Sequence, residues 1–264
     1  MEWLLAYLAL GAFVGFFAGL FGIGGGLVMV PVLSFLFDAQ HLSAQNNLHL
    51  SLGTAMAAIL FSAAAGARTH HAHGAVNLTI VRTMTPGLLL GTALGTLFAS
   101  HVSPVYLTVF FALFVYFAAL QMILNLKPKA ARQLPGRLGM TLAGTGIGAI
   151  SSMVSIGGGT LSVPFMLRHN IPLKHAIGTS AALGFPIAIG GTIGYIVTGL
   201  ALGSLPQNTL GFVYLPALFL LAIGSMLTTP LGAKATHRLP LKLLRRSFAL
   251  LLFVLATKML LKIL

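Results

Sequence analysis

Apolar residues run along the chain in ten blocks, at roughly 3–20, 27–37, 48–67, 79–99, 104–124, 138–154, 160–168, 176–198, 210–231 and 243–262. Polar and turn-forming residues gather between them, as in "DAQHLSAQNN" at 38–47, "LKPKAARQLPGR" at 126–137 and "GSLPQN" at 203–208. The longer blocks approach or exceed the ~18 residues of a membrane-spanning helix. The strand alternation over ~10-residue segments that marks an outer-membrane barrel is absent. The pattern predicts an all-α polytopic membrane protein.

Two of the blocks are broken by one motif. "FGIGGGLVMVP" fills 21–31 and "VSIGGGTLSVP" fills 154–164. If unbroken, 3–37 and 138–168 would be helices of about 52 Å and 46 Å at ~1.5 Å per residue. A bilayer core is only about 30 Å thick. Each stretch is therefore either a re-entrant hairpin with a Gly tip or a full crossing followed by a half-helix.

Charge arbitrates. Lys and Arg gather in 68–82, 127–137, 168–174 and 234–246, whereas the N-terminus and 38–47, 100–103 and 200–209 have none. Basic loops stay cytoplasmic. Two hairpins plus six crossings satisfy that rule everywhere except at Lys258 and Lys262, which could snorkel. One hairpin and three crossings make an odd number, so the second half is inverted relative to the first. The expected division is 1–125, a cytoplasmic linker at 126–137, and 138–264, in one membrane domain with both termini outside. Other matches between the halves are Gly53-Thr54 with Gly178-Thr179, Pro86 with Pro216, and Pro104 with Pro240. Inverted repeats with interrupted helices are a recurrent plan of secondary transporters.

Composition narrows the chemistry. The chain is 57% hydrophobic and 6% charged, against about 25% charged for a soluble domain. Its net charge of +13 is carried by interhelical bases, which read as topology signals, so no nucleic-acid partner is expected. Cysteine is absent, excluding disulfides and thiolate chemistry. Met-Glu-Trp has no basic n-region, so no cleaved signal peptide is expected. Glu2 and Asp38 are the only acids. A cation pathway usually keeps a buried carboxylate; this chain has none to spare.

An anion suits it better. Gly24, Gly25 and Gly26, and Gly157, Gly158 and Gly159, let the backbone approach a ligand. Pro31 and Pro164 are expected at helix starts, leaving 27–30 and 160–163 partly unwound. Helix N-termini aimed inward from both tips would offer N–H groups and positive dipole ends. Ser155, Thr160, Thr54, Thr179 and Ser180 supply hydroxyl donors nearby. His49 and His175, near the Gly-Thr pairs, are the candidates for proton coupling, against the plainer reading of interfacial or capping histidines. Na⁺ bound by backbone carbonyls stays open. "THHAHG" at 69–74 reads as a solvated turn, with no metal site or cofactor expected. No nucleophile–base pair suggests an enzyme.

The paired Gly triplets, the Gly-Thr pairs, "RTHHAHGAVN" at 68–77 and the two-half layout resemble the TauE/SafE sulfite exporter family, over essentially the whole chain. The resemblance implies an inner-membrane transporter of small anions: sulfite, sulfonates, related organosulfur compounds or organic acids. Alternating access at a midplane site between the tips is the first expectation, and an anion-selective channel the alternative. The sequence does not set the oligomeric state.

Overall fold

The computed structural model of the protein describes residues 2–22, 25–43, 45–124, 133–203, 205–235 and 241–262. The ten blocks become helices α1 (Glu2–Phe21), α2 (Gly26–Ala39), α3 (Asn47–Ala72), α4 (Leu78–His101), α5 (Pro104–Leu124), α6 (Arg137–Met153), α7 (Gly159–Arg168), α8 (Leu173–Leu200), α9 (Leu215–Ala235) and α10 (Leu241–Leu261). Strands β1 (Thr209–Leu210) and β2 (Val213–Tyr214) pair as a short antiparallel hairpin before α9. α1, α3, α5, α8 and α9 are long and apolar enough to cross a bilayer. α4 and α10 have the length, 24 and 21 residues, but α4 is diluted by Gly and Thr and α10 by Lys and Arg. Large apolar side chains such as Leu97, Leu113, Phe219, Leu227 and Leu250 are exposed, as lipid-facing positions should be. The fold is an all-α polytopic membrane protein.

α1 and α2 form a hairpin. Tyr7, early in α1, meets Phe37, late in α2, with ring centroids 6.3 Å apart, and Gln40 donates to the Tyr7 hydroxyl. Its open end lies beside the start of α9, where Tyr214 packs on Phe37 at 5.5 Å and gives its N–H to Thr54 in α3. α6 and α7 form the second hairpin. Its open end lies beside the start of α4. Thr141 of α6 donates to the Thr83 carbonyl, and Asn77 gives its N–H to Thr179 near the start of α8. α3 starts beside α9 and ends just before α4, so the two hairpins open on opposite ends of α3.

Glycine sets the tightest seams. Gly11, Gly15 and Gly19 of α1 face Leu221, Ser225 and Thr229 of α9; a Cβ at Gly11 would lie 2.6 Å from the Leu221 carbonyl oxygen. Gly87, Gly91 and Gly95 of α4 face Thr141, Thr145 and Ala149 of α6 in the same way. Both pairs run parallel, and close backbone contact of this kind drives helix association in lipid. α3 and α8 run antiparallel through the centre, with Met56 against Gly191 and Ala63 against Gly184. α1 pairs with α9 as α6 pairs with α4, so each half lends its first helix to the fourth helix of the other.

Charge follows the same polarity. Arg68, Arg82, Arg137, Arg168, Lys174, Lys234, Arg245 and Arg246 all sit at helix ends on the side where α4 begins. On the opposite side Lys262 pairs with Asp38, whose other oxygen accepts from Asn47. That ion pair, alone of its kind among the described residues, accounts for one of the two misplaced lysines.

Several expectations change. α2 and α7 start at Gly26 and Gly159, so Pro31 and Pro164 lie inside helices and 27–30 and 160–163 are helical. α9 starts at 215 because the hairpin turn at Gly211, with φ 55°, occupies the predicted start at 210. The stretch 69–72 is helical, and His70 within it is buried at 4% exposure while His71 and His73 are exposed. Pro86 is inside α4 whereas Pro216 is the second residue of α9, so the two prolines do not correspond. Gly24, 126–132, Arg238 and Pro240 lie outside the described residues.

Candidate functional site

The described residues of the two tips share their backbone conformation. Gly25 and Gly158 cap α2 and α7 with φ 77° in both and ψ −6° and −9°. Three residues earlier, Gly22 (φ 69°) and Ser155 (φ 47°) are also left-handed, a region that costs a side chain about 1–2 kcal/mol. Neither cap offers a side-chain acceptor to its first turn. The early N–H groups of a helix have no carbonyl of their own.

The tips touch. A Cβ on Gly26 would overlap the carbonyl oxygen of Ser155. The Ser155 hydroxyl donates to the Leu52 carbonyl at 2.8 Å, tying the second tip to α3. Ser162 donates to Ser180 at 2.9 Å, and Ser180 to the Gly22 carbonyl at 3.2 Å, tying the first tip to α8. Gly157 lies against Gly184. Thr160 is the second residue of α7, buried, with its hydroxyl unpartnered.

Beside the crossing is a cavity of about 20 Å³, room for a water molecule. It is lined by Gly22 and Gly157 of the tips, Ser62 and Gly66 of α3, Ala181 of α8 and Thr229 of α9. These positions fall on the basic half of their helices. The equivalent positions on the other half follow from the contacts repeated between halves. There Met56 stands for Ala181, Ile59 for Gly184 and Ile187 for Ser62, all at 0% exposure. Met56 packs on Gly191, and Ile187 reaches Gly158. A water-sized cavity thus lies on one side of the tips, and buried apolar side chains fill the equivalent place on the other.

The Gly-Thr pairs hold loops rather than line this cavity. A Cβ on Gly53 would overlap the Phe212 carbonyl, and one on Gly178 would lie 2.5 Å from that of Ala75. Thr54 and Thr179 accept the N–H groups of Tyr214 and Asn77, each at 2.9 Å. Each pair pins the segment entering α9 or α4. Thr54→Val and Thr179→Val each leave a backbone N–H unsatisfied. Each should lower the thermal midpoint of the detergent-solubilised protein, by about 1–3 kcal/mol of stability, and an unshifted melting curve would contradict this.

The histidines are not equivalent. His49 is buried, stacked on Phe212 at 5.1 Å, with Nε2 3.0 Å from the Ala99 carbonyl. His175 is half-buried near the basic face. Among the described residues no three His, Cys, Asp or Glu gather as a metal site.

The model of the family described as sulfite exporter TauE/SafE matches residues 7–259. The chain belongs to that family.

Several relatives match this TauE/SafE chain over more than nine-tenths of their length. A "Probable membrane transporter protein" of Haemophilus influenzae is 36% identical over 260 residues, covering 98% of each chain. YdhB of Bacillus subtilis is 26% identical over 90% of this chain and 92% of its own. A relative from Methanocaldococcus jannaschii, also printed as a probable membrane transporter, is 25% identical over 95% and 93%. No solved structure matches the chain significantly. As a TauE/SafE protein it is a multi-pass membrane transporter. The motifs shared by its halves fall at the tips and at the two Gly-Thr loop anchors. The lining by Ser62, Gly66, Ala181 and Thr229 carried no sequence signal beyond small residues at helical spacing.

Proposed function

We propose that this protein is a secondary transporter of small anions, chiefly sulfite, sulfonates or related organosulfur and organic-acid anions, across the cytoplasmic membrane. The two halves act as inverted repeats, with the basic face cytoplasmic and both termini outside. Substrate binds between the Gly-capped tips and reaches each face by alternating access. The observation that carries this reading is the meeting of two uncapped helix starts, Gly26 against Ser155. No Lys, Arg, Asp or Glu is buried among the described residues. Dipoles, N–H groups and hydroxyls are then the means of holding charge, and they favour an anion.

The one-sided cavity supports alternation: a water-sized space on the basic side of the tips, Met56, Ile59 and Ile187 on the other. The cysteine-free chain allows a direct check. A Ser62→Cys variant, buried beside a water-sized cavity, should resist an impermeant thiol reagent at rest and react with it from the basic face during turnover. A Met56→Cys variant should resist it from both faces without substrate and become reactive from the opposite face during turnover. Met56→Cys labelling that ignores substrate would contradict alternation.

The functional test is uptake of labelled sulfite into proteoliposomes under an imposed pH gradient, with unlabelled anions as competitors. Saturable uptake with trans-stimulation supports the carrier, whereas non-saturating current would indicate a channel. Coupling runs through the proton of the substrate or through His49 and His175. Unchanged pH profiles in His49→Gln and His175→Gln would remove both residues from the cycle.

A further inference from the structure

The repeated tips differ in chemistry. Where the second hairpin carries Ser151, Ser155, Thr160 and Ser162, the equivalent positions of the first are Ala18, Gly22, Leu27 and Met29. Three of the four serines and threonines have 0% exposure, and Thr160 has 6%. Ser155 and Ser162 are spent on protein partners. Ser151 Oγ and Thr160 Oγ1 are buried with no hydrogen-bond partner. Ser151 Oγ lies 3.7 Å from the position a Cβ would take on Gly158, and Thr160 is in the first turn that Gly158 caps.

A buried hydroxyl left unpaired costs about 1–3 kcal/mol. Two of them beside one uncapped helix start, on a ten-residue helix, mark a place where acceptors are missing. The N–H groups of Gly159 and Thr160 lack intrahelical carbonyls by geometry. Two O–H and two N–H donors match the oxygens of a sulfur oxyanion head group. The start of α2 is flanked by Ala18 and Leu27 and has no such donors beyond its backbone.

We infer that the anion subsite is the start of α7, built by Ser151, Thr160 and the Gly159 and Thr160 amides, and that it selects singly charged head groups such as a sulfonate or bisulfite. This rests on the anion-transport reading above and makes its site one-sided. The selectivity follows from the neutral donor set. Desolvating an ion costs steeply more as its charge rises, and no cation is buried here to offset a second charge. Ile187, whose Cδ1 lies 2.5 Å from that Cβ position, packs against the glycine that caps the subsite.

The test is equilibrium binding of labelled methanesulfonate to the purified full-length protein, with sulfate as competitor. Ser151→Ala and Thr160→Val should each weaken binding about tenfold, the scale of a hydrogen bond to a charged group. Thr160→Ser should keep wild-type affinity. Ala18→Ser, which places a hydroxyl at the other tip, should not tighten binding. Sulfate should compete at least about tenfold less well. A purely structural role predicts unchanged affinity for Ser151→Ala, because deleting an unpaired buried hydroxyl then removes no ligand contact. Wild-type affinity in a Ser151→Ala/Thr160→Val double variant, or equal competition by sulfate, overturns this inference alone. A wild-type protein that binds neither methanesulfonate nor sulfite overturns the anion reading and this inference with it.

Discussion

Gly26→Ala should cut uptake at least tenfold while leaving a folded, membrane-inserted protein. One methyl group is the smallest change available, yet at this position it meets the Ser155 carbonyl oxygen. Neither side can yield easily. Ser155 is held by its bond to Leu52 and by its left-handed backbone. Gly26 is backed by Ile59, whose Cδ1 lies 3.2 Å from the new Cβ. The tips must separate by an ångström or more. Misplacement on that scale can cost a site about 10²-fold, so initial uptake should fall at least tenfold. Equal elution profiles for variant and wild type would confirm that folding is spared. Wild-type uptake would show that the tips need not meet. Gly25→Leu and Gly158→Leu should also silence transport, since both positions have φ 77°.

Gly91→Leu should prevent folding altogether. A Cβ at Gly91 overlaps the Thr145 carbonyl and lies 2.9 Å from the Ala149 amide nitrogen. The contact is reciprocal, since a Cβ on Gly148 of α6 would lie 2.5 Å from the Leu88 carbonyl. Backbone faces backbone, so no rotamer can relieve a leucine. Ordinary overpacking costs about 1–3 kcal/mol; here α4 and α6 would part along the whole seam. The expected result is loss of monodisperse protein in fluorescence-detected size exclusion. Gly146→Leu is the matched control, because a Cβ at Gly146 meets nothing within 4 Å. Normal yield from Gly91→Leu would mean that this seam does not hold the helices.

The apolar blocks were legible because burial in lipid demands continuous hydrophobicity, and all ten became helices within a few residues. The tips were legible because three glycines in a row have no use in a straight helix. The helix starts were missed for a physical reason. Proline tolerates the first turn and signals a start, but Pro31 and Pro164 each sit a full turn inside, where helix packing overrides the lost donor. Thr54 and Thr179 read as ligand donors because their partners, Tyr214 and Asn77, are 160 and 102 residues away. Their spacing carried the repeat but not the role. His49 and His175 resembled each other only by distance from a Gly-Thr pair. Measured from that pair, His49 matches Lys174, so one histidine is packed under Phe212 and the other is half-exposed.

The exchange of first helices between halves bears on how the chain is made. Gly11, Gly15 and Gly19 meet their partners at 221–229, more than two hundred residues later in synthesis. Until α9 enters the bilayer, α1 presents a bare glycine stripe to lipid. The same is true, for a shorter interval, of α4 before α6. The seam along α1 can close only when the ninth helix arrives.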